Sequence, residues 1–147
     1  MEMNAAGYDL LKKFEGCQLK AYRDVAGVWT IGYGSTGPEI VPGLVWTQER
    51  ADQALAANVS RTVDELLDLI EPELADNQFS ALVCLAFNIG AHAFAGSSAL
   101  DMINKGFLSL VPSKIKLRNK ARINGVLHIS RGLVRRRQAE CDLWNTP

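Results

Sequence analysis

The stretch from Phe14 to Gly34, FEGCQLKAYRDVAGVWTIGYG, constrains this chain more than any other. Two carboxylates and one hydroxyl sit in it among residues that prescribe a helix end followed by a β-hairpin. Leu10, Leu11 and Phe14 form the apolar face of a short helix that ends at Gly16, a residue able to take the left-handed conformation of a helix C-terminus. Glu15 leaves that helix in its last turn. Leu19 and Ala21 then alternate with Lys20 and Tyr22 as in a half-buried strand. Asp24–Val25–Ala26–Gly27 carries turn residues, and Val28–Trp29–Thr30–Ile31 reads as the returning strand. Asp24 and Thr30 therefore flank one turn. The chain from Glu15 to Asp24 can extend to about 30 Å at roughly 3.3 Å per residue. Only a hairpin folded back on the helix brings Glu15, Asp24 and Thr30 together.

Two carboxylates beside a hydroxyl suit glycoside hydrolysis. One carboxylic acid, kept protonated by apolar neighbours such as Phe14, Trp29 and Ile31, donates a proton to the leaving oxygen. The other stays ionised and directs a water or stabilises positive charge on the sugar. The pattern F-E-G-x-x-L-x-A-Y-x-D-x-x-G-x-x-T-I-G-Y-G at Phe14 to Gly34 closely resembles the signature of the phage-type lysozymes, the endolysins of glycoside hydrolase family 24. The family's E-x8-D-x5-T triad falls on Glu15, Asp24 and Thr30 without a gap. The resemblance implies a general acid at Glu15, a water held by Asp24 and Thr30, and cleavage of the glycan strand of bacterial peptidoglycan with inversion at the sugar carbon. No cofactor and no metal are expected.

The resemblance runs from Leu10 to about Ser98 and returns at Gly132 in the closing pattern G-L-x-x-R-R-x-x-E. Phe87–Asn88–Ile89–Gly90 resembles the family's F-N-x-G segment, which lines the substrate cleft. A sugar would meet the ring face of Phe87, and an acetamido group would hydrogen-bond Asn88. Phe87 is equally well placed as a core residue, and Asn88 as a helix terminator. One position departs from the family: many relatives carry a histidine after the last glycine of T-x-G-x-G, where this chain has Ser35, which cannot form a charged pair.

With 147 residues, 48% of them hydrophobic, a single domain with a real core is expected. The expected class is α+β, mainly helical, with a lysozyme-like division into a small β-hairpin lobe at about residues 16–46, a larger helical lobe over 47–147, and the cleft between them. Thr47 is a plausible N-cap with Glu49 in the first turn, before a long amphipathic helix through Ala51, Leu55, Val59, Val63, Leu67 and Ile70, or two helices end to end around Asn58–Ser60. Asp76 is placed to cap the next helix, and Phe79 to Ile89 is apolar nearly all round, as in a buried central helix with Cys84 in its core. Ser97 or Ser98 starts a short helix through Ile103, and Pro112 interrupts the segment after it. His92 lies in a loop, and the terminal helix packs by Leu133 and Leu143.

From Met102 to Ala139 there are ten basic residues and no acidic one, whereas Glu39 to Asp76 holds nine acids against Arg50 and Arg61. A basic region of this kind suits an anionic wall, an acidic membrane or nucleic acid, or else a solvated face balanced within the fold. No nucleic-acid-binding signature accompanies it, so no nucleic-acid partner is expected. Cys17, Cys84 and Cys141 cannot all pair and lack C-x-x-C spacing, which suits reduced thiols. The first residues lack the basic start and apolar core of a secretory signal, and no apolar run is long enough to span a membrane. The expectation is a monomer made in the host bacterial cytoplasm, without stable membrane insertion, whose partner is the peptidoglycan glycan strand. The resemblance implies passage through a separately encoded membrane pore. A lytic transglycosylase and a wall-binding module without catalysis are the alternatives.

Overall fold

The structure, a computed structural model, describes residues 1–147. In chain order it contains α1 (Ala5–Glu15), β1 (Gln18–Arg23), β2 (Trp29–Gly32), α2 (Gln48–Leu69), α3 (Asp76–Ile89), α4 (Ala91–Ala95), α5 (Ser98–Asn104), a 3-10 turn (Leu108–Leu110), α6 (Val111–Ile115), β3 (Lys120–Ile123), β4 (Val126–Ile129) and α7 (Arg131–Trp144). The mainly helical α+β class matches the expectation. Residues 11–61 cluster as one compact unit, and residues 1–10 with 62–147 as another.

In the first of these units α1 ends where expected, with the Gly16 N–H bonded to the Lys12 carbonyl at 3.0 Å. The β1–β2 hairpin pairs Tyr22 with Thr30 and Arg23 with Trp29, but the register slips between Gln18 and Tyr22. That irregularity breaks the expected alternation: Ala21 is buried, while Leu19 is 37% exposed. A third extended segment lies along β1, where the Ala21 N–H donates to the Leu44 carbonyl and the Trp46 N–H to the Leu19 carbonyl. Ala21, Ile31 and Ile40 form a small core against Trp29, Leu44 and Trp46. Gly32 has a φ of +66°, and a Cβ there would sit 3.0 Å from the Trp46 ring, so both conformation and space demand glycine.

Thr47 caps α2 as expected, its Oγ1 accepting from the Arg50 N–H at 3.1 Å. The helix runs unbroken through Asn58–Ser60 rather than as two pieces. Ala51, Leu55 and Val59 are buried, but two turns after Val59 the stripe falls on Leu66, and Leu67 is 42% exposed. The expected face drifts by one residue because 3.6 residues per turn brings position i+7, not i+8, back under i.

In the other unit Phe79 to Ala86 of α3 are all buried, as the apolar run requires. Asp76 does not cap this helix. Ala75 holds the cap position and has no side-chain acceptor; Gln78 Oε1 instead accepts the Ala75 N–H at 3.0 Å, and Asp76 lies in the first turn. Asn4 ties the chain's start to α3 through Ser80 Oγ at 3.0 Å and Asn77 Oδ1 at 2.8 Å. His92 sits in α4 rather than in a loop. Ser97 caps α5 as expected, with its Oγ accepting from the Leu100 N–H. Pro112 does not interrupt a helix but starts one, since the first turn of α6 needs no N–H from it.

Two features of this unit differ from expectation. The segment Lys120–Ile129 is a second hairpin in unbroken register, closed by Asn124 at φ 51° and Gly125 at φ 79°. These are the two left-handed residues of a two-residue hairpin turn. The Arg-rich run of α7 is also not a simple solvated face, for Arg136, Arg137 and Glu140 are buried together with Leu143 and Trp144. Arg137 Nε lies 2.6 Å from Glu140 Oε1 and Arg136 Nε 3.5 Å from Glu140 Oε2. Burial pushes the Glu140 carboxyl up and the Arg137 guanidinium down, against the attraction between them. Of the two residues expected to pack this helix, Leu143 is buried and Leu133 half-buried.

Candidate active site

Glu15, Asp24 and Thr30 all fall in the unit of residues 11–61. Glu15 is the last residue of α1, placed there because Gly16 reverses the backbone. Its carboxylate is directed toward the loop after β2: Oε2 lies 3.5 Å from the place a Cβ would occupy at Gly34. Gly34 has a φ of +85°, so residue 34 has no side chain to cover the acid.

Asp24 opens the turn between β1 and β2 and holds it closed. Its Oδ1 accepts from the Ala26 and Val28 N–H groups, each at 2.9 Å. The backbone repeats the closure, with the Asp24 N–H donating to the Val28 carbonyl at 3.0 Å and the Gly27 N–H to the Asp24 carbonyl at 2.9 Å. One carboxylate oxygen is thereby committed to the turn, and Oδ2 is left for another partner. Thr30 is 4% exposed, and its Oγ1 donates to the Val28 carbonyl at 2.9 Å. The two residues are linked through Val28, whose N–H binds one and whose carbonyl binds the other. Since the Thr30 proton is already donated, its oxygen can only accept from a further group. The side chains of Asp24 and Thr30 together offer two acceptors and no donor.

Ser35 is buried and bonded through its backbone in both directions to Ile31, at 2.8 and 2.9 Å. Tyr33 accepts from Gln48 Nε2 at 3.1 Å, and burial pushes its phenol up. It is a neutral hydroxyl at any pH near 7.

Phe87 and Asn88 lie in the other unit, in the last turn of α3. The Phe87 ring is half-buried and Asn88 is exposed. Asn88 Oδ1 accepts from Arg137 Nη2 at 2.9 Å, which leaves the amide protons for another acceptor. Asn88, Ile89, Arg118, Lys120, Leu133 and Arg137 line a recess of about 290 Å³. Sequence reasoning misses Arg137 as a site residue. The signal is present in its spacing from Glu140, three residues on and hence on the same helix face, together with Arg136 at four.

Comparison with known proteins adds a second line of observation. Residues 12–140 match the family model for phage lysozyme. The endolysin of Acyrthosiphon pisum secondary endosymbiont phage 1 is 38% identical over 146 residues, covering 99% of both chains. The endolysin of Bacillus phage PZA is 38% identical over 148 residues, but there this chain spans only 56% of the relative's length. Among solved structures, the muramidase domain of SpmX from Asticaccaulis excentricus superposes with a TM-score of 0.92 at 35% identity, covering 99% of each chain. The endolysin from Escherichia coli O157:H7 phage FAHEc1 superposes with a TM-score of 0.92 at 34% identity, covering 99% of this chain and 94% of that one.

Proposed function

The chain belongs to the phage lysozyme family, and we propose that it acts as an endolysin, hydrolysing the β-1,4 bond between N-acetylmuramic acid and N-acetylglucosamine in bacterial peptidoglycan. Glu15 is the general acid that protonates the leaving oxygen, and the attacking water is held by Asp24 and Thr30. The observation that carries this assignment is the Val28 link. With Asp24 Oδ1 and the Thr30 proton both spent on the backbone of Val28, a water between the two side chains donates a proton to each and turns a lone pair outward. That is the orientation a nucleophile needs.

A water-mediated displacement inverts the sugar carbon and requires the two carboxyl groups to stand about 6.5–9.5 Å apart, against about 5–5.5 Å for a retaining pair. Phe87 offers a ring face to the sugar and Asn88 an amide to an acetamido carbonyl. Arg137 fixes the amide's orientation by occupying its oxygen. No helix is long and apolar enough to cross a membrane. In this reading the protein reaches the wall from the host cytoplasm by a separately encoded pore and works on the glycan as a monomer.

The test is product analysis on purified peptidoglycan in isotopically labelled water. Labelled reducing-end muramic acid, appearing first as the α anomer, is the expected outcome. Unlabelled 1,6-anhydro products would instead mean that the sugar's own hydroxyl displaces the bond, as in a transglycosylase. Initial β anomer would mean a retaining mechanism, and absence of any product would leave a wall-binding module. In parallel, Glu15→Gln should fold normally and lose about 10²–10⁴-fold in activity, the usual contribution of a general acid.

A further inference from the structure

The hairpin β3–β4 pairs with no other strand, yet it carries four large aliphatic side chains that nothing covers. Ile123, Val126, Leu127 and Ile129 are 58%, 57%, 52% and 67% exposed. The register sorts them onto both faces: Ile123 and Val126 share one face with Ala121 and His128, while Leu127 and Ile129 share the other with Arg122 and Lys120. A two-stranded ribbon is marginal in water by itself and normally covers one face against a neighbour. Exposing aliphatic side chains on both faces is unfavourable unless something apolar meets them.

The chemistry of the patch narrows what that is. The sequence from Met102 to Ala139, which contains the hairpin, has no acidic residue, and Lys120, Arg122, Arg131 and Arg135 on or beside it are exposed. The partner is therefore anionic, and a second copy of this chain, equally cationic there, is disfavoured. The ribbon also has no Trp, Tyr or Phe. Single-stranded nucleic acid is held by stacking on successive aromatic rings, and His128 is the single ring offered here. Branched aliphatics interleaved with cations match acyl chains beneath anionic headgroups. There buried methylenes and cations near the headgroups both add to binding.

We propose that the β3–β4 hairpin is a peripheral membrane contact, which seats Ile123, Val126, Leu127 and Ile129 in the interface of an anionic lipid bilayer while Arg122 and its basic neighbours meet the headgroups. It neither spans the bilayer nor depends on the catalytic assignment.

The experiment is co-sedimentation of the full chain with vesicles made of equal parts phosphatidylglycerol and phosphatidylcholine, and with pure phosphatidylcholine vesicles. Binding to the anionic vesicles should be at least about tenfold tighter than to the neutral ones. The combined variant Ile123→Thr, Val126→Thr, Ile129→Thr keeps β-branched residues, so the strands are retained. It should lose roughly tenfold or more in vesicle binding while melting like the parent. Arg122→Gln, a milder change at an exposed site, should weaken binding to the anionic vesicles alone. Hydrolysis of solubilised wall fragments should be unchanged in both. No binding to anionic vesicles overturns the proposal, as does equal binding by the parent and the threonine variant. A parent dimer that the threonine variant converts to monomer would assign the patch to self-association. Loss of hydrolysis on soluble fragments would assign it to the glycan site.

Discussion

In β1–β2 a carboxylate holds the turn and a core holds the strands; in β3–β4 left-handed backbone and one arginine hold the turn, and the strands hold one another. Asp24 grips two N–H groups of the first turn, and Ala21 and Ile31 pack with Ile40 beneath it. The second hairpin closes on Asn124 and Gly125 in left-handed conformations and leaves its aliphatics in the open. One supersecondary unit thus serves two purposes. Where a carboxylate closes the turn, the hairpin fixes that carboxylate in space, as the proposed reaction site requires. Where left-handed backbone closes the turn, with Arg122 Nη1 donating to the Gly125 carbonyl at 3.1 Å, the aliphatic side chains stay exposed to meet a partner.

The difference can be broken most forcefully at Asp24. Asn keeps an oxygen for the Ala26 and Val28 N–H groups but replaces Oδ2 with a donor, so Asp24→Asn should retain the parent's melting temperature. Turnover on cell walls should fall by about 10²–10⁴-fold, the range of lost acid–base assistance. Asp24→Ala should lose both activity and stability. If Asp24→Asn is fully active, the division of labour between the two oxygens is wrong.

A comparably large effect, on stability rather than activity, is expected in the unit that carries the second hairpin. Arg137 is 1% exposed, and its Nη1 also donates to the Arg118 carbonyl at 3.2 Å, just before β3. Glu140→Gln removes the carboxylate from beside that buried guanidinium and should cost about 3–5 kcal/mol in denaturant titration. A loss below about 1 kcal/mol would show that solvent reaches the pair and that it behaves like a surface bridge.

The two turns offer a matched pair of smaller changes. Gly27 has a φ of +81° and Gly125 one of +79°, and neither has an atom within 4 Å of where a Cβ would go. Alanine at either site therefore meets only backbone strain, about 1–2 kcal/mol. Gly27→Ala should lower activity as well as stability, because it strains the turn Asp24 closes. Gly125→Ala should leave hydrolysis of soluble fragments untouched.

The smallest effect is one of pH. Burial pushes the Cys141 thiol up to about 11, above an unfolded value of about 8.5. A group raised on folding stabilises the native state fully below its unfolded value and loses that contribution as pH rises through the folded one. The melting temperature should therefore decline between these two pH values, and Cys141→Ala should flatten the decline.

The same contrast decides which parts of the molecule are legible in its sequence. The first hairpin and the positions of Glu15, Asp24 and Thr30 along it can be read because alternation, turn residues and a family signature coincide within 21 residues, Phe14 to Gly34. The second hairpin carries Asn124–Gly125 between Arg122–Ile123 and Val126–Leu127, the strongest short hairpin signal there is. It is easily overlooked because basic residues at alternate positions resemble a solvated stretch. Arg136, Arg137 and Glu140 escape for a related reason: charged residues are almost never fully buried unless paired, and pairing is a property of three dimensions. Leu67 and Leu66 exchange places because adjacent leucines fit the helix period almost equally well until a neighbour selects one.

The arrangement of the two units along the chain sets an order of assembly. Residues 11–61 are contiguous, whereas the other unit joins residues 1–10 to 62–147 across them. Closing a loop of that length costs several kcal/mol of chain entropy before the contacts that repay it exist. Those contacts include Asn4 on Ser80 and on Asn77. During synthesis the segment bearing Glu15, Asp24 and Thr30 can condense as soon as it leaves the ribosome, since chains fold from the N-terminus as they emerge. The unit bearing Phe87, Asn88 and Arg137 must wait until α7 has been made. The nascent chain therefore carries the three proposed catalytic groups well before α3 and α7 have packed together.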